Sequence, residues 1–481
     1  MSTSNAASSS EGFPSLLHAF SYQIQTRAND VALVTRFQAD TQAFTWQQLG
    51  QLVCAQADLL DHRLDTDGDS QRCIGYASDN SLGDVLIALA CPLIDAMEIP
   101  IDHRLGARAK QLASQVGGVW IDHHHLDQED AGFGSDPLQR IHAALPKTKP
   151  DDPALILWTS GTTAESKAVT LTHRNLVGNA RAKLKAVPNS ASDVRLTSLP
   201  LCHAYARTCD LGTWLLSGCT MALGLGMQAW RFMGPQVQPT VANVVPSLAN
   251  RLYESDAAEM GLDRLRLLGC GGAALSQRDF CKWSARGVTI IQGYGLTESS
   301  PVICSATPEN STAGMVGGFV DGWERQIRDG RLFVRGPHVM SGYWNDLTAT
   351  RQKIVDGWLD TGDIVQLDPA TSQLRILGRA DDVIVLDNGH KIHPQSIERQ
   401  IEQIDGVRHA LIVPSGRTID VWLDADDANG WAAAIEKRLA DRPPWEQPAS
   451  VHCFEEPLSA ESGDLTAKGT IRRRQVMRRL R

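Results

Sequence analysis

Apolar positions in the middle of the chain fall into short runs, each closed by a polar, glycine-bearing loop. Leu155-Ile156-Leu157-Trp158 runs into Thr159-Ser160-Gly161-Thr162-Thr163. "LRLLG" (265–269) runs into "GCGGAAL" (269–275), and "VTIIQ" (288–292) into "GYGLTESSP" (293–301). Runs of this length with β-branched residues predict buried strands, and further strands are expected at 154–158, 194–198 and 241–245. Between the second and third runs, "SQRDFCKWSAR" (276–286) predicts a helix with Ser276 as its N-cap. Strand, helix and strand in that order make a β-α-β unit, the building block of a parallel sheet with helices on both faces. Three such loops at one sheet edge would form a single site, because ligands of open α/β sheets bind beyond the carboxyl ends of the strands.

After residue 330 the texture changes. "GRLFVRG" and "SQLRILGR" read as antiparallel strands. "PQSIERQIEQI" then predicts a helix that opens at Pro394 and places Ile397, Ile401 and Ile404 on one face; "HALIVPS" and "IDVWLDA" read as strands. A boundary near Gly378-Arg379 divides the chain into a large domain, 1–379, and a small one, 380–481. The expected class is α/β: a large domain of mixed sheets with flanking helices, and a small α+β domain. The chain shows no internal repeat.

Composition adds mainly exclusions. The 481 residues, 42% of them hydrophobic, are too many for one compact unit and enough for a sizeable core. A net charge of −9 offers nothing to nucleic acid. Ten cysteines without a C-x-x-C pair argue against a zinc site or a disulfide framework and fit a reducing cytoplasm. No run approaches the ~18 apolar residues of a membrane helix. "MSTSNAASSSEGFP" has neither the basic nor the apolar region of a secretory signal and reads as a disordered tail. "IDHHHLDQED" (121–130) reads as a solvated loop rather than a metal site. "IRRRQVMRRLR" reads as a solvated helix face, with phosphate or anionic-lipid contact as the sharper alternative.

The loops suit polyphosphate. Small residues let backbone N–H groups face an anion, hydroxyls add donors, and Lys167 adds a mobile positive charge. This is not a Walker A loop, since Ser166 stands five residues after Gly161. Thr297 offers a donor, and Glu298 a carboxylate for Mg2+. Asp363, in "DGWLDTGDIVQLD" (356–368), offers a carboxylate to ribose hydroxyls. A fifth stretch, "GRADDVIVLDNGHKIHPQSIE" (378–398), spans the boundary. No G-x-G-x-x-G follows the first strand of a β-α-β unit, which argues against a nicotinamide enzyme.

In their order and spacing these five stretches resemble the acyl-adenylate-forming superfamily of acyl-CoA synthetases, peptide-synthetase adenylation domains and luciferases. The resemblance runs from about residue 30 to the end. "LPLCHAYARTCDLGTWLLSGC" (199–219) is similar to the long-chain fatty acyl-CoA synthetase branch, with its P-L-x-H segment and nearby R-T pair. The resemblance implies a cytoplasmic ligase that uses ATP and Mg2+. A carboxylate, here a medium- or long-chain fatty acid, attacks the α-phosphate to give acyl-AMP and pyrophosphate. A thiol, that of CoA or of a carrier-protein phosphopantetheine, then takes the acyl group. It implies that Thr159, Ser160, Gly161, Thr162, Thr163 and Lys167 form the phosphate loop and that Gly271, Gly272 and Ala273 flank the adenine. Tyr294 and Gly295 would lie near the base, Thr297 near the phosphates, and Glu298 would hold Mg2+. Asp363 and Arg379 would bind the ribose, and Asp381 would be the hinge about which the small domain rotates. Lys391 and Gly389 would serve thioester formation. His203 would lie by the carboxylate or gate the acyl tunnel; the apolar 211–224 segment would line that tunnel or pack as core.

Two stretches depart from the family's pattern. The family loop T-S-G-T-T-G-x-P-K-G is here TSGTTAESKA, with Ala164 and Ala168 in place of glycines. The family's L-T-x-x-G-K-[IL]-x-R is here "LTAKGTIRR" (465–473), so Thr470 stands at the place of a lysine that meets the α-phosphate. Lys468, two residues earlier, lies on the same side of an extended segment and is expected to serve instead. A homologue that binds nucleotide without catalysis is the reading from another class.

Overall fold

The computed structural model describes residues 12–37, 40–66, 72–122, 136–159, 166–425, 430–459, 461–466 and 469–480. The expected N-terminal tail, nearly all of the histidine-rich loop, Ser160 to Thr163, Ala164 and Lys468 lie outside them. The fold is mixed α/β, as the patterning predicts. A nine-stranded sheet has a parallel centre that includes Val194–Thr197, Val241–Val244, Leu267–Cys270 and Thr289–Gly295. The helix Gln277–Ala285 connects the last two, and Ser276 Oγ accepts the Asp279 N–H as its N-cap. In register, Cys270 faces Gln292, so the second and third loops leave the sheet side by side.

The first loop differs from expectation. Its entry strand, Pro153–Trp158, lies in a separate six-stranded sheet and pairs antiparallel with Ala168–Thr172. The loop is therefore a hairpin connection. The reason is legible afterwards: the apolar Ala168-Val169 resumes at once, leaving no room for a crossover helix. The two sheets pack through one large core, where Trp46 stacks on Trp214 at 4.9 Å between ring centroids.

A five-stranded antiparallel sheet follows, including Arg331–Arg335, Trp358–Leu367 and Leu374–Arg379. Beyond it, helix Pro394–Ile401 covers a three-stranded sheet (Val407–Ser415, Thr418–Ala425, Pro448–Cys453). Ile397 and Ile401 are buried and Ile404 partly so, in a core of their own. Arg399 ties this helix back to the preceding sheet by donating to the carbonyls of Ile376 and Leu377. Among the described residues no helix is long and apolar enough to cross a membrane. All ten cysteines are free thiols.

Candidate active site

The exit strand of the first loop organises the site. The short strand Gly342–Tyr343 pairs antiparallel with it, Tyr343 opposite Val169. This sets the Tyr343 ring beneath Lys167, whose ammonium lies 4.7 Å from the ring centroid. The Tyr343 hydroxyl donates to Glu298 Oε1 at 2.8 Å, and Met340 N–H donates to the Glu298 carbonyl at 3.0 Å. One ring thus joins the first loop to the third, which sequence spacing does not show. Burial, then the neighbouring Glu298 charge, pushes the Tyr343 hydroxyl pKa upward, so it remains a donor. Thr159 closes the base of the loop: its N–H donates to the Lys167 carbonyl at 2.9 Å and its Oγ1 accepts the Lys167 N–H at 3.0 Å. Among the described residues no cation pairs directly with Glu298, and its hard carboxylate oxygens suit Mg2+.

The third loop turns sharply because Gly295 passes against Pro301; a Cβ there would lie 1.6 Å from the Pro301 carbonyl oxygen. Thr297 opens the turn that carries Glu298. Just before it, Tyr294 donates to Asp363 Oδ2 at 2.5 Å. Asp363 faces Arg379 in the register of two antiparallel strands, and Arg379 Nη1 reaches Asp363 Oδ1 at 3.1 Å. Gly362 is required between Thr361 and Asp363: its φ is 76°, and a Cβ would meet Arg379 Nη2 at 2.6 Å. Burial raises the pKa of Asp363, against the opposing pull of Arg379 and the Tyr294 hydrogen bond. The structure thus draws together Lys167, Tyr294, Glu298, Asp363 and Arg379.

The second loop carries buried Gly271 and exposed Gly272 and Ala273. The Tyr205 ring lies directly under it; a Cβ on Gly271 would meet that ring at 3.0 Å. Tyr205 follows His203, which is half-buried and groups with Asp102 and Cys202, their ligand-type atoms lying within 4.8 Å of one another. Asp102, however, is held by Arg104 Nε at 2.9 Å and Nη2 at 2.5 Å. The R-T pair is structural. Arg207 forms a buried ion pair with Glu98, and Thr208 Oγ1 donates to the Ser300 carbonyl at 2.7 Å. Of the two readings of the 211–224 segment, core packing is the one observed: Leu211, Trp214, Leu215, Cys219, Met221 and Leu223 are buried in the large core. Its apolarity alone does not separate the two outcomes.

Beyond the boundary, Asp381 is exposed in the short turn Ala380–Asp382. Gly389 and Lys391 are exposed on the Ile384–Ile392 hairpin, which Leu386 and Ile392 anchor in the core, and lie outside the contacts that hold the cluster. Leu465 and Ile471 pair as an antiparallel bridge, and Thr466 N–H donates to the Thr470 carbonyl at 2.8 Å. Lys468 itself lies outside the described residues. The arginine-rich tail forms helix Arg473–Arg479, with Arg473 paired to buried Glu398 and Arg479 to buried Asp464.

Sequence reading missed Tyr343, Thr361 and Lys353. Lys353 Nζ lies 3.5 Å from the Thr361 carbonyl oxygen, which Arg379 Nη1 also approaches at 3.1 Å. Only Tyr343 had a local signal, the Gly-Tyr pair after a strand-like run.

A sequence profile described as AMP-binding enzyme matches residues 20–344. Feruloyl-CoA synthase of an Amycolatopsis species is 26% identical over 482 residues, covering 90% of this chain and 94% of that protein. Long-chain-fatty-acid–CoA ligase of Haemophilus influenzae is 32% identical over 321 residues, covering 59% of this chain and 55% of that protein. Among solved structures, the anthranilate CoA ligase AuaEII in complex with anthranoyl-AMP superposes with a TM-score of 0.79 at 18% identity, covering 96% of both chains. ATP-bound MatB from Rhodopseudomonas palustris gives 0.76 at 21% identity, covering 97% of this chain and 98% of that one.

Proposed function

This chain belongs to the AMP-binding enzyme family, and from that premise we propose that it joins a carboxylic acid to CoA through an acyl-adenylate. The carrying observation is that Tyr343 and Glu298 lie in one cluster with Lys167, while Tyr294, Asp363 and Arg379 form another on the same loop system. The first set has the charge for a polyphosphate, the second the acceptors for a ribose.

In this reading Thr159 to Thr163 and Lys167 hold the β- and γ-phosphates, and Thr297 donates to them. Gly271, Gly272 and Ala273 flank the adenine, with Tyr294 against it. Asp363 takes the ribose hydroxyls, oriented by Arg379. Glu298 would hold Mg2+, which would supply positive charge to the polyphosphate. The acid's carboxylate oxygen attacks the α-phosphorus, and the bond to pyrophosphate breaks. Charge gathers on the α-phosphate, where fixed donors stabilise it. Residues 380–481 then turn at Asp381 and present Gly389 and Lys391 to the thiol step.

A medium- or long-chain fatty acid is the first substrate reading, supported by the P-L-x-H segment and the likeness to long-chain ligases. A compact aryl acid is the second. It is favoured by the Tyr205 ring under the second loop and by the core packing of 211–224.

The test is carboxylate-dependent exchange of labelled pyrophosphate into ATP, across acetate to stearate and across benzoate, anthranilate and ferulate. Exchange peaking with one acid supports adenylation and names the class. No exchange with any acid, with ATP still bound, supports a nucleotide-binding homologue without catalysis.

A further inference from the structure

We propose that Lys353 is the cation that meets the α-phosphate during adenylation, taking the part that the family's pattern gives to a lysine at the position of Thr470. The inference rests on the adenylation reading of the same site.

Thr470 cannot supply that charge. It is a neutral, exposed residue whose N–H donates to Thr466 Oγ1 at 3.2 Å. Arg379 is engaged by Asp363 and by the Thr361 carbonyl. Lys167 sits over the Tyr343 ring, at the exit of the loop read as cradling the outer phosphates.

Lys353 is built into the gap between these groups. It ends the helix Leu347–Lys353, whose N-cap is Asp346. That helix is fastened to Tyr343, because Thr350 Oγ1 accepts the Tyr343 N–H at 2.9 Å. Directly after Lys353 the chain enters the hairpin Ile354–Val355 with Trp358–Leu367, the strand that carries Asp360, Thr361 and Asp363. Lys353 is thus held from one side by the residue that bonds Glu298 and from the other by the strand that bears the ribose carboxylate.

Its charge is not spent inside the protein. Among the described residues its Nζ makes one long hydrogen bond, to the Thr361 carbonyl at 3.5 Å, and no direct ion pair. An ammonium has three donors, so two remain for a ligand. The side chain is partly buried. Burial lowers its pKa, while Glu298, Asp360 and Asp363 act to keep it charged and Arg379 acts against this. A partly buried cation that feels both the metal-type carboxylate and the ribose-type carboxylate is placed to meet the α-phosphate of a nucleotide spanning both.

The step balances without proton transfer. The acid's carboxylate oxygen gives its pair to the α-phosphorus, and the α,β-bridging bond breaks with its pair leaving on pyrophosphate. Lys353 stays protonated and donates to a non-bridging α-phosphate oxygen.

The experiment compares the full-length wild type with Lys353→Met, Lys353→Arg and Lys468→Ala. It measures pyrophosphate exchange with the best acid, thioester formation from supplied acyl-adenylate, and AMP binding. Lys353→Met is expected to lower the exchange kcat by about 100-fold, the scale of losing one transition-state donor. Lys353→Arg should recover most of that loss. Thioester formation should fall far less than exchange, AMP binding should weaken in part in Lys353→Met without being lost, because AMP carries the α-phosphate, and Lys468→Ala should still exchange. Exchange that survives Lys353→Met overturns the assignment. So does an equal loss in both half-reactions together with lost AMP binding, since that marks a structural role. No exchange in the wild type overturns the adenylation reading, and this inference with it.

Discussion

The Tyr343 hydroxyl donates a 2.8 Å hydrogen bond to Glu298, and the same ring lies under Lys167. Tyr343→Phe keeps the ring and drops the hydrogen bond. The KM for Mg-ATP in pyrophosphate exchange should rise about 5- to 10-fold, the worth of one hydrogen bond to a charged group. Tyr343→Ala should lose the cation's platform as well and cost clearly more. Equal KM values for Phe and wild type would remove Tyr343 from the site.

Asp363 is read as the ribose acceptor, with Arg379 and Tyr294 holding it. Asp363→Asn should weaken ATP binding by about 10- to 100-fold through the lost charge-assisted bonds. It should also shrink the preference for ATP over 2′-deoxy-ATP. Titration of both nucleotides against both proteins checks this; an unchanged preference places the ribose elsewhere.

His173 begins the helix His173–Ala186 and is buried there; burial, first of all, pushes its pKa down to about 4. A helix N-terminus also disfavours an imidazolium. The folded protein therefore holds His173 neutral, while the unfolded chain protonates it near 6.5. Its contribution is complete above pH 6.5 and is lost as pH falls toward 4, by up to about 3 kcal/mol. His173→Gln should flatten the fall in Tm over that window. Parallel Tm curves for the two proteins would contradict it.

The Arg207–Glu98 pair is buried, and Tyr76 donates to the same carboxylate at 2.6 Å. Arg207→Met leaves Glu98 charged and should destabilise the fold by about 3–5 kcal/mol. Adding Glu98→Gln should recover part of this, since it removes the stranded charge. Denaturant unfolding of the single and double variants measures both; a single variant as stable as wild type refutes the pairing energy.

Periodicity within a segment was reliable where one face of one element decides the outcome. The helix capped by Ser276 and the Ile397–Ile401 face appear where the spacing predicts them. Glu298, Asp363 and Arg379, named from short contiguous stretches, each make side-chain contacts within the loop system, Glu298 with Tyr343 and Asp363 with Arg379. Longer-range claims did less well. The entry strand of the first loop belongs to a second sheet.

The sequence by itself determined the strand and helix segments, the loops between them and the family to which they belong, since these follow from local periodicity and contiguous motifs. Only the tertiary structure decided which loops meet. Tyr343 reaches Lys167 and Glu298 through strand pairing, and Lys353 reaches the Thr361 carbonyl through the packing of a helix on a hairpin. The physical reason is that strand partners and packed faces are chosen by burial across the whole chain, and that choice leaves no mark at the residues it joins.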